Sequence, residues 1–195
     1  MDQPIALATP QPQAPLDANA WVEAAFDELA EGGIDAVRVD PLAKKLGVTR
    51  GSFYWHFKDR AALYDAMLRR WRSRATYQVF NRFERDKRNV DSPAMRLAWL
   101  LNLPRSSPRA THAAAVELAI RLWARRDEAA AQAVATIDRA RLRYCERVLR
   151  DASVSQKDAC ARAYLFYAAL NARAFVNADG KYALPEDFVE KLLTP

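Results

Sequence analysis

The side chains best suited to chemistry lie close together, between residues 49 and 57 of this 195-residue chain. A short helix there can present hydrogen-bonding and aromatic groups outward, and Gly51 leaves room where another molecule can approach the backbone. Such groups suit the base edges in the major groove of DNA. Basic residues around this stretch have the right sign for phosphate. The candidate DNA-contacting residues are Arg38, Lys44, Thr49, Arg50, Gly51, Ser52, Tyr54, Trp55, His56, Lys58 and Arg60.

Two short helices joined by a glycine must position these side chains. Asp40 followed by Pro41 predicts an N-cap and the first residue of a helix over 41–46, and Thr49 can cap a second helix over 50–57. This spacing is typical of a helix-turn-helix. The shared core would consist of Leu42, Leu46, Val48, Phe53 and Phe57.

The rest of the chain predicts long helices, because glycine and proline are concentrated at a few boundaries and no segment alternates with a period of two. The first helix ends at Gly32-Gly33, and the one that Asp59 caps has no breaker until about Lys87. We therefore predict an all-α fold of about nine helices. Later helices would open at Ser92-Pro93, Ser107-Pro108, Asp127 and Ser155 and end near residues 103, 125, 150 and 178, with a short last one after Pro185.

Residues 18–68 resemble the TetR/AcrR family of bacterial repressors. The motifs that carry the resemblance are the Gly32-Gly33 helix end, Leu42-Ala43-x-x-Leu46-Gly47-Val48, Gly51-Ser52-Phe53-Tyr54-Trp55-His56-Phe57 and Lys58-Asp59-Arg60-x-x-Leu63. The resemblance implies a three-helix DNA-binding domain, joined by a long helix to a helical domain that binds a small molecule and dimerises.

The resemblance also implies roles for individual residues. The start of the recognition helix, 49–52, would face bases and phosphates, and Tyr54 and His56 would reach the DNA backbone. Lys58 and Arg60 would bind phosphate. Many family members have a hydroxyl residue near the start of the second helix; Arg38 stands there in this chain and would make a charged contact instead.

We predict three regions: a disordered tail over 1–16, a helix-turn-helix domain over 17–63, and a ligand-binding and dimerisation domain over 64–195. The function would be that of a non-enzymatic regulator, a repressor that a small-molecule inducer releases from palindromic operator DNA. The alternative is a helical small-molecule-binding protein or enzyme with a vestigial DNA-binding motif, which needs a catalytic cluster that the sequence does not supply. No signal sequence or membrane span is recognisable, so we expect a cytoplasmic protein. The resemblance implies that it is a homodimer.

The C-terminal region would contain an apolar cavity between facing helices. Its expected lining is Phe80, Trp99, His112, Trp123 and Asn171, and His112 has an alternative interpretation as an interior histidine. The dimer would be a four-helix bundle made by two helices of each chain. Its expected contacts are Val134, Ile137, Tyr144, Val148, Leu165, Ala168, Ala169 and Ala172.

Composition excludes several classes and leaves little else that could do chemistry. The net charge of +6 and a hydrophobic content of 51% are those of a globular protein, and two cysteines make no disulfide scaffold. We expect Cys145 and Cys160 to be buried, inert thiols, with a redox switch as the alternative. We expect no cofactor or metal, and in the Arg69–Arg74 cluster a solvated face with Trp71 turned inward.

Overall fold

The computed structural model describes residues 17–75, 92–173 and 184–194. Within these ranges the chain forms nine α-helices and two short 3-10 turns and no strand, which confirms the predicted all-α class. The predicted tail over 1–16, the continuation of the fourth helix to about residue 87 and the end of the eighth near residue 178 lie outside the described residues.

Aspartate side chains cap two of the four N-terminal helices. Asp17 accepts a hydrogen bond from the Ala20 amide at 2.9 Å, and Asp59 accepts one from the Ala62 amide at 2.8 Å. The first helix ends before Gly33, which has the positive φ of 72° that glycine tolerates. The four helices are α1 (Ala18–Gly32), α2 (Val39–Leu46), α3 (Arg50–Tyr54) and α4 (Arg60–Ser73).

Two boundaries differ from the prediction. The second helix begins at Val39 with Arg38 as its N-cap, so the expectation that Asp40 caps it is wrong. No backbone amide in the first turn of a helix has a partner within the helix, so proline, which lacks this amide, is tolerated throughout that turn. The presence of Pro41 therefore does not fix the first helical position. The third helix ends at Tyr54 rather than at residue 57, although the Phe57 amide still donates to the Phe53 carbonyl at 3.0 Å.

Five more helices follow. Ser92, Ser107, Asp127 and Ser155 each accept a hydrogen bond from a backbone amide three residues later, so these four predicted caps are confirmed. The helices are α5 (Pro93–Asn102), α6 (Pro108–Trp123), α7 (Glu128–Asp151), α8 (Gln156–Ala172) and α9 (Phe188–Leu193).

The buried side chains form two clusters. The first joins α1–α4 to α6 and to the first half of α7. The second joins α5, the second half of α7, α8 and α9. The predicted domain boundary at residue 63 lies inside α4, so the first cluster extends across it.

Candidate nucleic-acid interface

An aromatic core anchors the outward-facing helix α3. Phe53 is fully buried, and the centroid of its ring lies 5.3 Å from that of Trp21, in an edge-on contact, and 5.4 Å from that of Phe57. The predicted shared core is confirmed, with Leu42 fully buried as well. Trp21 was not among the predicted core residues. It directly precedes Val22, Ala25, Phe26 and Leu29, whose i, i+3, i+4, i+7 spacing marks the buried side of α1 and could have revealed it.

The candidate DNA-contacting side chains share one surface around α3. Trp55 is 87% exposed and Tyr54 is 51% exposed. Leaving two large rings in water serves no packing purpose, so this face is a candidate binding surface. Ser52 and His56 are half-buried, and the exposed members are Arg38, Lys44, Thr49, Arg50, Gly51, Tyr54, Trp55, Lys58 and Arg60.

Arg50 is held in place by two neighbours on this surface. Its Nη2 donates to the Tyr54 hydroxyl at 3.4 Å, and its Nε lies 3.7 Å from Oδ1 of Asp40 on α2. The hydrogen bond to Tyr54 and the charge of Asp40 raise the pKa of the Arg50 guanidinium. The sequence analysis did not find this arrangement, which orients Arg50 before any contact with DNA.

Polar contacts attach α2 and α4 to α1. Lys45 Nζ on α2 lies 3.1 Å from Glu28 Oε1 and 3.5 Å from Asp27 Oδ2. The hydrogen bond to Glu28 raises the pKa of Lys45. Arg74, just after α4, makes a bidentate pair with Glu23 at 2.5 and 2.9 Å. The helix-turn-helix is therefore fixed to α1 by charged contacts as well as by its core.

The arginine cluster at the end of α4 follows the prediction. Trp71 is buried, whereas Arg69, Arg70 and Arg72 are exposed. Arg70 also lies 3.4 Å from Glu23. This face is solvated, with Trp71 turned inward.

A network of charged side chains that the sequence analysis missed lies between α6, α7 and α8. Glu117 accepts two hydrogen bonds from Arg141, at 2.5 and 2.9 Å, and one from Arg121 Nη2 at 3.0 Å. Arg121 also donates to Asp138 Oδ1 at 2.7 Å, and the Tyr167 hydroxyl donates to the same oxygen at 2.7 Å. Two arginines and two carboxylates give the network no net charge.

The charges of the network control its protonation. Burial alone would raise the pKa of Glu117, but the guanidinium groups of Arg141 and Arg121 together outweigh that effect and hold it below its usual range. Burial also raises the pKa of the Tyr167 hydroxyl. Glu117 is therefore ionised and Tyr167 protonated at neutral pH.

The predicted ligand-lining residues are spread over both clusters. Trp123 is buried in the first cluster, 5.2 Å from the Tyr64 ring, whereas Trp99 packs against the second. Asn171 is half-buried and donates to the Tyr167 carbonyl at 2.7 Å. His112 is exposed, with Nε2 3.3 Å from Asp27 Oδ1, so its interpretation as an interior histidine is wrong. Phe80 lies outside the described residues.

The predicted dimer contacts divide into two groups. Ile137, Tyr144 and Val148 are buried in the core of one chain, which leaves them little surface for a partner. Their apolar stripe faces the chain's own core. Val134, Ala169 and Ala172 are half-buried, and Leu165 and Ala168 are exposed on α8.

The two cysteines differ in environment. Cys145 is buried, and burial raises the pKa of its thiol to about 12. Cys160 is exposed, so the expectation of a buried thiol is wrong there.

These features define an all-helical protein with an N-terminal helix-turn-helix and a larger helical region behind it. Residues 22–67 match a family model described as bacterial regulatory proteins, tetR family. The tetracycline repressor protein class A from transposon 1721 of Escherichia coli is 42% identical over 52 residues, which are 27% of this chain and 24% of the repressor. The transcriptional regulator AcrR of Shigella flexneri is 37% identical over 44 residues, 23% of this chain and 20% of the regulator.

Two solved structures resemble nearly the whole chain. A transcriptional regulator from Rhodococcus sp. Rha1 has a TM-score of 0.67 at 23% identity and covers 91% of this chain and 92% of its own. A regulator from Saccharomonospora viridis in complex with choline has a TM-score of 0.68 at 19% identity and covers 90% and 92%. These two likenesses establish the fold.

The N-terminal helices, over residues 22–67, therefore match the TetR family of bacterial regulatory proteins. It spans about a quarter of the length of the curated relatives it matches. Among the helices of residues 17–75, 92–173 and 184–194, none combines the length and the apolar character needed to cross a membrane.

Proposed function

We propose that this protein is a ligand-responsive transcriptional repressor, which binds a palindromic operator as a homodimer and leaves it when a small molecule binds the C-terminal helices. The observation that carries the proposal is the surface around α3, where Arg50, Tyr54 and Trp55 are exposed over a buried aromatic core. An exposed basic and aromatic helix face of this kind fits a major groove. The family's tetracycline repressors support this function.

In this proposal the residues on the surface have separate tasks. Arg50, oriented by Tyr54 and Asp40, would read a base edge, and Lys58 and Arg60 at the start of α4 would bind phosphates. Arg38, at the start of α2, would bind a phosphate on the other side of the groove. Two copies would present their α3 helices to successive major grooves about 34 Å apart.

The partner in the dimer would be a second copy, seated on the outward face of α8. Tyr164 is 66% exposed and Leu165 is 57% exposed on that face, next to the exposed Ala161 and Ala168. A row of large and small apolar side chains on one helix permits close approach of an equivalent helix. This arrangement would use the predicted dimer contacts on α8, which are the exposed Leu165 and Ala168 and the half-buried Ala169 and Ala172.

The effector would bind among α5–α8. The regulator from Saccharomonospora viridis, which has a similar fold and is in complex with choline, supports a small-molecule effector. Trp99 and Asn171 are the candidate lining residues that remain in the second cluster and its edge. Effector binding would shift the population of the dimer toward an α3 spacing that no longer fits the operator.

The test is selection of DNA from a pool of random duplexes by the wild-type protein, followed by fluorescence anisotropy with the selected duplex and with a random one. Arg50→Ala should cost about 1–3 kcal/mol on the selected duplex and little on the random one. Lys58→Ala should weaken both alike and reduce the salt slope by about one unit.

Arg143→Ala is the matched control, since it removes an exposed arginine from α7, far along the chain from the surface around α3. It should change neither affinity. Failure of the wild-type protein to enrich any duplex would contradict the proposed function. Equal losses on both duplexes for Arg50→Ala would remove its base-reading role.

A further inference from the structure

The carboxylate of Asp27 on α1 contacts two other parts of the molecule at once. Its Oδ2 lies 3.5 Å from Lys45 Nζ on α2, and its Oδ1 lies 3.3 Å from His112 Nε2 on α6. Because each partner uses a different oxygen, the two contacts do not compete. Asp27 therefore joins a helix of the DNA-binding region to a helix of the C-terminal region.

Each end of this connection is itself attached to a functional element. Lys45 is on α2, which shares its core with α3 through Leu42 and Phe53 and precedes it by a three-residue turn. A tilt of α2 is therefore passed on to the exposed side chains of α3. His112 is on α6, the helix that also carries Glu117 and Arg121 of the buried network.

The contacts at Asp27 are suited to orientation more than to stability. The side chains of Asp27, Lys45 and His112 are between one third and one half exposed. Pairs this exposed are weak contributors to folding, because water screens them. A weak contact between two elements that are each rigid can still select one relative orientation of them.

We propose that Asp27 is a positioning residue that holds α2 and thereby α3 in register with α6, so that movement of α6 is felt at the DNA-reading surface. This inference rests on the proposed function and names the path by which the C-terminal region regulates it. Its signature is a change in DNA affinity and in the dynamics of α2 that is large compared with the change in melting temperature.

The test compares His112→Gln, Asp27→Asn and their combination at pH 7.5. Hydrogen exchange of the α2 amides, residues 39–46, should accelerate about threefold in each single variant, since a half-exposed pair shifts an opening equilibrium by about that factor. Affinity for the duplex selected by the wild-type protein should fall about three- to tenfold, and the double variant should match Asp27→Asn.

Two further variants sharpen the result. Glu31→Gln removes an exposed carboxylate from the same helix and controls for charge; it should leave exchange in α2 unchanged. His112→Lys places a hydrogen-bond donor with a permanent positive charge beside Asp27, and its exchange and affinity should lie closer to wild type than those of His112→Gln. If the contact only stabilised the fold, the variants would change the melting temperature together with the exchange of the α2 amides and the DNA affinity.

The inference is overturned if His112→Gln accelerates exchange in α6 alone, or if the effects of the two single variants on α2 add in the double variant. The exchange measurement needs no DNA. A wild-type protein that selects no duplex therefore contradicts the proposed function, while exchange still decides whether Asp27 connects α6 to α2.

Discussion

Removing one charge from the network between α6, α7 and α8 should destabilise the protein far more than removing a balanced pair. Glu117→Gln leaves Arg121, Arg141 and Asp138 with a net positive charge in a site where the guanidinium groups are only 18–20% exposed. Both arginines lose a carboxylate that accepts from them within 3.0 Å.

The expected cost follows from the geometry. Each guanidinium attracts the Glu117 charge by about 4 kcal/mol at 4 Å and an effective dielectric constant of 20, and desolvation offsets part of this. Breaking such a pair costs about 3–5 kcal/mol when it is buried. Because these groups retain some exposure, we expect about 3 kcal/mol, equivalent to a fall in melting temperature of about 6–12 °C for a chain of this size.

The double variant Glu117→Met with Arg141→Met removes one charge of each sign. Arg121 keeps its hydrogen bond to Asp138 at 2.7 Å, and Tyr167 keeps its own to the same carboxylate. The loss should be about 1 kcal/mol or less, since apolar residues of similar volume replace a buried pair at little cost.

The assay is thermal and urea unfolding followed by circular dichroism, at one protein concentration because dimerisation would shift the transition. Asp65→Asn removes an exposed carboxylate from α4 and should stay within about 0.5 kcal/mol of wild type. Equal losses for Glu117→Gln and for the double variant would refute the argument that the unpaired charge, and not the lost packing, sets the cost.

Three further outcomes are expected. Because the pKa of Glu117 is depressed in the folded state, its stabilising contribution is full above its unfolded pKa of about 4.3 and is lost as the pH falls through the lower folded pKa; wild type should lose more stability on acidification than Glu117→Gln does, and parallel profiles would contradict this. Leu165→Arg should give monomers in light scattering at a concentration where the control Leu122→Arg, an equally exposed leucine on α6, stays dimeric; an intact Leu165→Arg dimer would exclude this face. A thiol reagent should modify Cys160 in the folded protein and reach Cys145 only after unfolding, and mass analysis of the peptides would reveal any other order.

The features that the sequence predicted well depend on neighbouring residues. Ser92 and Asp127 cap their helices by bonds to amides three residues away, so a short window contains both the donor and the acceptor. The shared core of α2 and α3 was predictable for the same reason, since Leu42 and Phe53 lie on consecutive helices that a short turn at Gly47 connects. The start of α2 was wrong by two residues because Pro41 is compatible with more than one place in a first turn.

The features that the sequence did not predict depend on which side of each helix faces its neighbours. Glu117 and Arg121 have a recognisable i,i+4 spacing, but their partners Asp138 and Arg141 are on another helix. The expectation of two buried thiols was wrong for Cys160 for the same reason, since the sequence does not fix which side of a helix faces the core. His112 could be interpreted as an interior histidine because nothing in the sequence indicates that Asp27, on another helix, lies next to it.

The first hydrophobic cluster has a consequence for the construction of hybrid regulators. Trp123, Ile120 and Val116 of α6 pack in the same cluster as the buried faces of α1 and α4. A segment containing only α1–α4, cut from this chain near residue 63 or 75, would leave that apolar surface in water, and a foreign C-terminal domain would have to cover it. Exchanging operator specificity between relatives therefore requires transferring the facing side of α6 together with α1–α4, or altering only the exposed residues of α3 and leaving every buried contact in place.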